Sequence, residues 1–221
     1  KTRLDKVLLR NIANKNIKIA IIDSGIDLTH PDIGPNFIGV DNYSDEGINF
    51  NSDDKYGHGT MIGGIIGATI NNHLGITGIN NQSQIYCLNI FDESDEFDLT
   101  YLIEALNWVK INNINIVNLS LIIFEYDAHL EEVINELSDN GVIIVCCGGN
   151  TYGTADNNRI VYPAAFEKTI AVAGTDEDDN RYFYSTVQPY IDISAPANNI
   201  VVTIPVINYL FYKEGYDKKS G

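Results

Sequence analysis

The 221-residue chain carries 30 acidic against 14 basic side chains, a formal net charge of −16, with 44 % hydrophobic residues. This fits a single globular domain spanning 1–221 with a buried core, and the charge argues against nucleic acid and anionic lipid as partners, because both need a basic face. No apolar run approaches the roughly 18 residues of a membrane helix, and Lys1 to Asn16 lacks the apolar core of a signal peptide, so no membrane insertion is expected and any targeting segment is expected to be absent or already removed.

In chain order, Ile17 to Ile22 (IKIAII) reads as a buried strand, and a glycine-rich helical stretch runs from Met61 to Ala68. Gln84 to Phe91 is a second strand. Leu99, Leu102, Ile103, Leu106 and Val109 recur at helical spacing, and Ile114 to Leu119 is again a strand. Leu130, Val133, Ile134 and Leu137 mark another helix, with Gly141 where a C-terminal glycine belongs. Val142 to Cys147 and Thr169 to Gly174 complete the strands. Strand–helix–strand alternation implies a mainly parallel sheet, and continuous apolar strands imply cover on both faces. The fold class is therefore α/β. The three cysteines, Cys87, Cys146 and Cys147, give no disulfide framework and read as buried, reduced hydrophobes. Asp92 to Asp98 and Asp176 to Asn180 are local acidic clusters.

In open α/β sheets function collects at the carboxyl ends of the strands. Those ends hold Asp23, Ser120 and Gly148-Gly149-Asn150. Asp23 alone fits a helix cap, a phosphate-transfer aspartate or a catalytic acid. His58 opens the glycine-rich helix within Gly57-His58-Gly59-Thr60; it is a surface residue or a side chain held beside something on a buried helix end. Asn150 ends a strand, or aims an N–H donor into a cleft as an oxyanion hole requires.

Taken together, these residues resemble the subtilisin-like serine proteases, the subtilases. The aspartate motif is IAIIDSGIDLTHPDI (Ile19 to Ile33), the histidine motif GHGTMIGGIIGA (Gly57 to Ala68) and the oxyanion motif GGN (Gly148 to Asn150). NLSL (Asn118 to Leu121), YPAAF (Tyr162 to Phe166) and DISAPAN (Asp192 to Asn198) match further family segments. The resemblance implies a three-layer subtilisin-like fold, a mainly parallel central sheet with helices on both faces, whose C-terminal helices are missing from this chain. It implies catalytic roles for Asp23, His58 and Asn150 and substrate binding by Ser120, Leu121, Ile122 and Gly149. The activity implied is endopeptidase hydrolysis through an Asp-His-Ser triad and an acyl-enzyme.

The chain ends Lys219-Ser220-Gly221, two positions before the serine of the family's third motif, and as written it should be inactive. A peptide-binding pseudoprotease is the alternative. A nucleotide or phosphotransfer domain would need a glycine-rich phosphate loop, which the sequence lacks. Ile122 and Ile123 follow Leu121 where the family usually has glycine, and Val161 stands where a small residue is common; either both narrow the primary specificity pocket, or the strand is shifted or the pocket reshaped elsewhere. The acidic run Asp92 to Asp98 either favours Lys or Arg in a bound peptide or is a solvated loop. The resemblance further implies a structural Ca²⁺ held by Asp32, Asn72 and the carbonyls of Ile70, Leu74 and Ile76, an oxygen set suited to a hard cation. A polypeptide substrate and a propeptide are the partners it implies, and a secreted or cell-surface location is favoured over the cytoplasm.

Overall fold

The computed structural model describes residues 16–41, 52–91, 97–157, 159–205 and 215–221. Nine strands and three helices are seen among them: β1 (Lys18–Asp23), β2 (Phe37–Val40), α1 (His58–Gly67), β3 (Gln84–Asn89), α2 (Leu99–Ile111), β4 (Ile116–Leu119), α3 (Ala128–Asp139), β5 (Ile143–Cys147), β6 (Ile170–Thr175), β7 (Ile193–Pro196), β8 (Ile200–Thr203) and β9 (Tyr216–Lys219). The chain divides into two compact units, Arg3–Val117 with Val201–Lys218, and Lys1–Thr2 with Asn118–Ile200 and Lys219–Gly221.

In the first unit the strand order is β2-β3-β1-β4. β1 pairs with β3 in parallel from Lys18 opposite Gln84 to Asp23 opposite Asn89, and β2 pairs with β3 in the same sense. Ile19, Ala20, Ile21 and Ile22 are all buried, so β1 is covered on both faces, as its unbroken apolar run requires. Ile19, Ile21, Ile26, Ile33, Phe37, Ile85 and Cys87 form the core cluster, with Ile62 and Ile66 of α1 against it. The glycines of α1 permit this packing. A Cβ on Gly63 would lie 2.8 Å from Ile26 Cδ1, and one on Gly67 would lie 3.1 Å from Phe37 Cζ and overlap Ile85 Cδ1.

In the second unit the order is β4-β5-β6-β7, β4 running through the division. β5 and β6, and β6 and β7, pair in parallel. The amphipathic spacing predicted for α3 is realised: Leu130, Val133, Ile134 and Leu137 are its buried residues, Asp127 caps its N-terminus, and Gly141 follows its end at φ 86°. The fold is α/β with a mostly parallel seven-stranded order. β2, β7, β8 and β9, of four residues each, were not read from the sequence, and β7 is exposed along its whole length. The three thiols are free, Cys87 and Cys146 buried and Cys147 partly so. Burial lifts the Cys87 and Cys146 thiols far above their ordinary range.

Candidate active site

In the first unit, β1 ends in Asp23, which is 4 % exposed. Gly25 at φ 103° then turns the chain, and its amide neighbour Ile26 donates to Ser52 O at 2.8 Å. The turn places Gly25 against the first residues of α1, where a Cβ on Gly59 would overlap the Gly25 carbonyl oxygen. Only glycine at 59 lets α1 start this close to the Asp23 turn. His58, the first residue of α1, consequently sets its Nδ1 at 2.8 and 2.9 Å from Asp23 Oδ1 and Oδ2. Ser24 N–H also donates to Oδ1, at 2.8 Å.

An acceptor carboxylate on Nδ1 keeps the proton there and leaves Nε2 as the basic nitrogen. The electrostatics agree. Burial disfavours the imidazolium, but the hydrogen bond and charge of Asp23, with a contribution from Asp54, outweigh it and raise the His58 pKa above 6.5. The His58 side chain remains 40 % exposed. Such a pair can take a proton from a nucleophile and return it to a leaving group.

The helix start also contains a carboxylate that the sequence reading passed over. Asp54, 6 % exposed, accepts four hydrogen bonds: from Ser24 Oγ at 2.9 Å and Gly57 N at 2.6 Å on Oδ1, and from Thr60 N at 2.8 Å and Thr60 Oγ1 at 2.6 Å on Oδ2. The available signal was an acid shortly before a helix whose own N-cap, Gly57, has no side chain to cap with.

In the second unit, Ser120 follows β4 and its Oγ accepts from Asn118 Nδ2 at 2.9 Å. Leu121 O accepts from Cys147 Sγ at 3.2 Å, and Ile123 exchanges two 2.8 Å backbone bonds with Tyr162. Ile122, expected to narrow a pocket, is exposed. Val161 is fully buried, and its Cγ2 would stand 3.0 Å from a Cβ on Gly149. Gly149 adopts φ 99°, its carbonyl accepting from Thr186 N at 3.0 Å. Asn150 is exposed, and Gly221 lies beside its carboxamide: a Cβ on Gly221 would be 3.2 Å from Asn150 Nδ2.

The residues expected to hold Ca²⁺ do come together, all in the first unit, but as a closed hydrogen-bonded cluster. Buried Asp32 accepts from Asn72 Nδ2 at 2.7 Å on Oδ1, and from Ile76 N at 2.9 Å and Tyr216 Oη at 3.2 Å on Oδ2. Asn72 Oδ1 accepts from Leu74 N at 3.1 Å, and Ile70 is half-buried where α1 gives way to this loop. As arranged, the carboxylate and amide oxygens accept from N–H and O–H donors, and a cation held by Asp32, Asn72 and the neighbouring carbonyls would compete with those hydrogen bonds. No group of three or more His, Cys, Asp or Glu placed to hold a metal occurs among the described residues. Of the acidic run, 92–96 lie outside the described residues, while Asp98 caps α2, accepting from Thr100 N at 2.7 Å.

The chain matches the subtilase family over residues 14–221. It belongs to that family. This subtilase chain is 35 % identical over 192 residues to the minor extracellular protease Epr of Bacillus subtilis, covering 87 % of the chain and 28 % of that protein. It is 30 % identical over 204 residues to subtilisin Savinase of Lederbergia lenta, covering 90 % and 71 %. The chain spans about half the length of several other curated relatives, such as subtilisin E of Bacillus subtilis at 29 % identity. Among solved structures, the psychrophilic subtilisin-like protease Apa1 from Pseudoalteromonas sp. AS-11 superposes with a TM-score of 0.78 at 27 % identity, over 92 % of this chain and 47 % of that one. The prenylagaramide maturation protease PagA shares the fold at a TM-score of 0.79 and 23 % identity, over all of this chain and 74 % of that one.

Proposed function

We propose that this subtilase is a serine endopeptidase that hydrolyses an extended polypeptide through an acyl-enzyme. The observation that carries the reading is the His58 Nδ1 contact with both oxygens of Asp23 at the start of a buried helix. In this reading His58 Nε2 takes the proton of a serine hydroxyl as it attacks the scissile carbonyl, and then gives it to the leaving amine. Asp23 fixes the tautomer and stabilises the imidazolium. Asn150, whose carboxamide has no hydrogen-bond partner among the described residues, donates Nδ2–H to the developing oxyanion. A propeptide and a secreted or cell-surface location belong to the same proposal, supported by the similarity to Epr, a minor extracellular protease.

Specificity is proposed from the second unit. Ser120, Leu121 and Gly149 offer backbone to an extended substrate, and Val161 fills the space beside Gly149 that a large side chain would need. Small side chains are therefore favoured at the residue before the scissile bond. The acidic run 92–98 is proposed to add a preference for Lys or Arg elsewhere in the peptide.

Fluorophosphonate labelling of the full-length protein, together with hydrolysis of a denatured protein substrate, tests the activity. Labelling and cleavage that are both lost in His58→Ala are expected. A folded protein that neither labels nor cleaves, yet binds peptides, overturns the enzyme reading in favour of a pseudoprotease.

A further inference from the structure

We propose that Asp54 is a positioning residue for His58: its carboxylate ties the first turn of α1 to the Asp23 turn and holds the imidazole against Asp23. The inference rests on His58 acting as the base, but it is tested on His58 directly.

The four hydrogen bonds to Asp54 all come from donors, two on each oxygen. A carboxylate satisfies all four; an amide would turn an NH₂ toward two of them. Two of the donors are backbone N–H groups at the start of α1, Gly57 and Thr60, the positions that a helix leaves without partners. Gly57 is the N-cap and supplies no side chain, so Asp54 caps the helix from outside it. The other donors extend the link. Ser24 Oγ, while donating to Asp54, accepts from Gly59 N at 2.9 Å, and Ser24 N is bound to Asp23. Thr60 Oγ1, while donating to Asp54, accepts from Asp27 N at 2.9 Å, and Thr60 O accepts from Thr203 Oγ1 at 2.6 Å. Residues on both sides of His58, Gly57 and Gly59, are thus fixed to the Asp23–Ser24 turn through Asp54 and Ser24. The backbone of His58 has little freedom to carry its ring away from Asp23.

Asp54 also acts through its charge. It stabilises the imidazolium together with Asp23, and its own carboxyl is raised above the ordinary value by burial, against the pull of its hydrogen bonds. The titratable groups facing this cluster are Asp23 from β1 and the Cys87 thiol from β3, both of which interact electrostatically with it. Asp53 and Lys55 on either side are exposed.

NMR titration of the His58 ring in the full-length protein tests the proposal. Asp54→Asn is expected to lower the His58 protonation constant about threefold or more, and to lower kcat while KM stays within about twofold. Thr60→Val removes a neutral donor and keeps the charge, so it is expected to lower stability with the His58 titration unchanged. If Asp54→Asn does not fold, the wild-type protein serves. Its His58 resonances are expected to show a second inflection at the pH where the Asp54 carboxyl titrates, above the ordinary carboxylate range. Asp54→Asn that lowers only the melting temperature, or a wild-type His58 curve without that inflection, reduces Asp54 to a helix cap and overturns the proposal. The His58 titrations do not require proteolytic activity, so the proposal can fail while the protease reading stands.

Discussion

Gly59→Ala sets two effects of opposite sign against each other. In an ordinary helix the change is favourable by about 1 kcal/mol, because alanine loses less backbone entropy. Here the new methyl would overlap the Gly25 carbonyl oxygen, with the Gly25 carbonyl carbon and amide nitrogen both at 3.1 Å. The obstacle is backbone at φ 103°, held by the Ile26-to-Ser52 bond, and it has no rotamer to change. Overpacking of this kind costs about 1–3 kcal/mol. With rigid backbone on one side the upper end applies, leaving a net loss of about 2 kcal/mol, or about 4–8 °C in Tm for a domain of this size. Because the strain is relieved by moving α1 away from the Asp23 turn, the His58–Asp23 contact lengthens and the His58 pKa falls. Gly63→Ala meets the tip of Ile26 at 2.8 Å, a methyl that can turn aside, and is expected to cost less. Thermal melts of both variants beside the wild type, with His58 titrations, check this. A Gly59→Ala protein as stable as the wild type or more so, or less damaged than Gly63→Ala, refutes the packing argument.

Activity needs neutral His58, so the acid limb of kcat/KM is expected above pH 6.5; Asp23→Asn should move it down and reduce kcat by about 10⁴-fold, as measured by pH-rate profiles. The sign for stability is the reverse: the His58 contribution is complete below pH 6.5 and is lost as pH rises through the raised folded value, which melting curves across that window would show. Val161→Gly is expected to raise relative cleavage after large residues over small ones by about tenfold or more, read as a ratio of kcat/KM values on paired peptides. Asp127→Ala removes the 2.7 Å bond to Leu130 N and should cost about 1 kcal/mol, visible as a lower urea midpoint with unchanged slope.

The sequence by itself determined the elements with a strong period or an unbroken apolar run. β1, β3, β4, β5 and β6 and helices α2 and α3 stand within three residues of their predicted ends, because burial on a face or on both faces must be written into the side chains. The resemblance of the flanking motifs to the subtilases further implied that Asp23 and His58 belong to one site. What the tertiary structure decided was contact at a distance along the chain. Asp54 gathers donors from Ser24, Gly57 and Thr60; an acid just before a glycine-capped helix hints at the last two, but the link to Ser24, 30 residues away, has no local signal. Likewise, the subtilase resemblance implied that Asp32, Asn72 and Ile76 serve a cation. In the fold Tyr216, 184 residues from Asp32, joins the Asn72 and Ile76 N–H groups as a donor to that carboxylate. Which donors reach Asp32 is set by the packing of the chain and is not written beside it in the sequence.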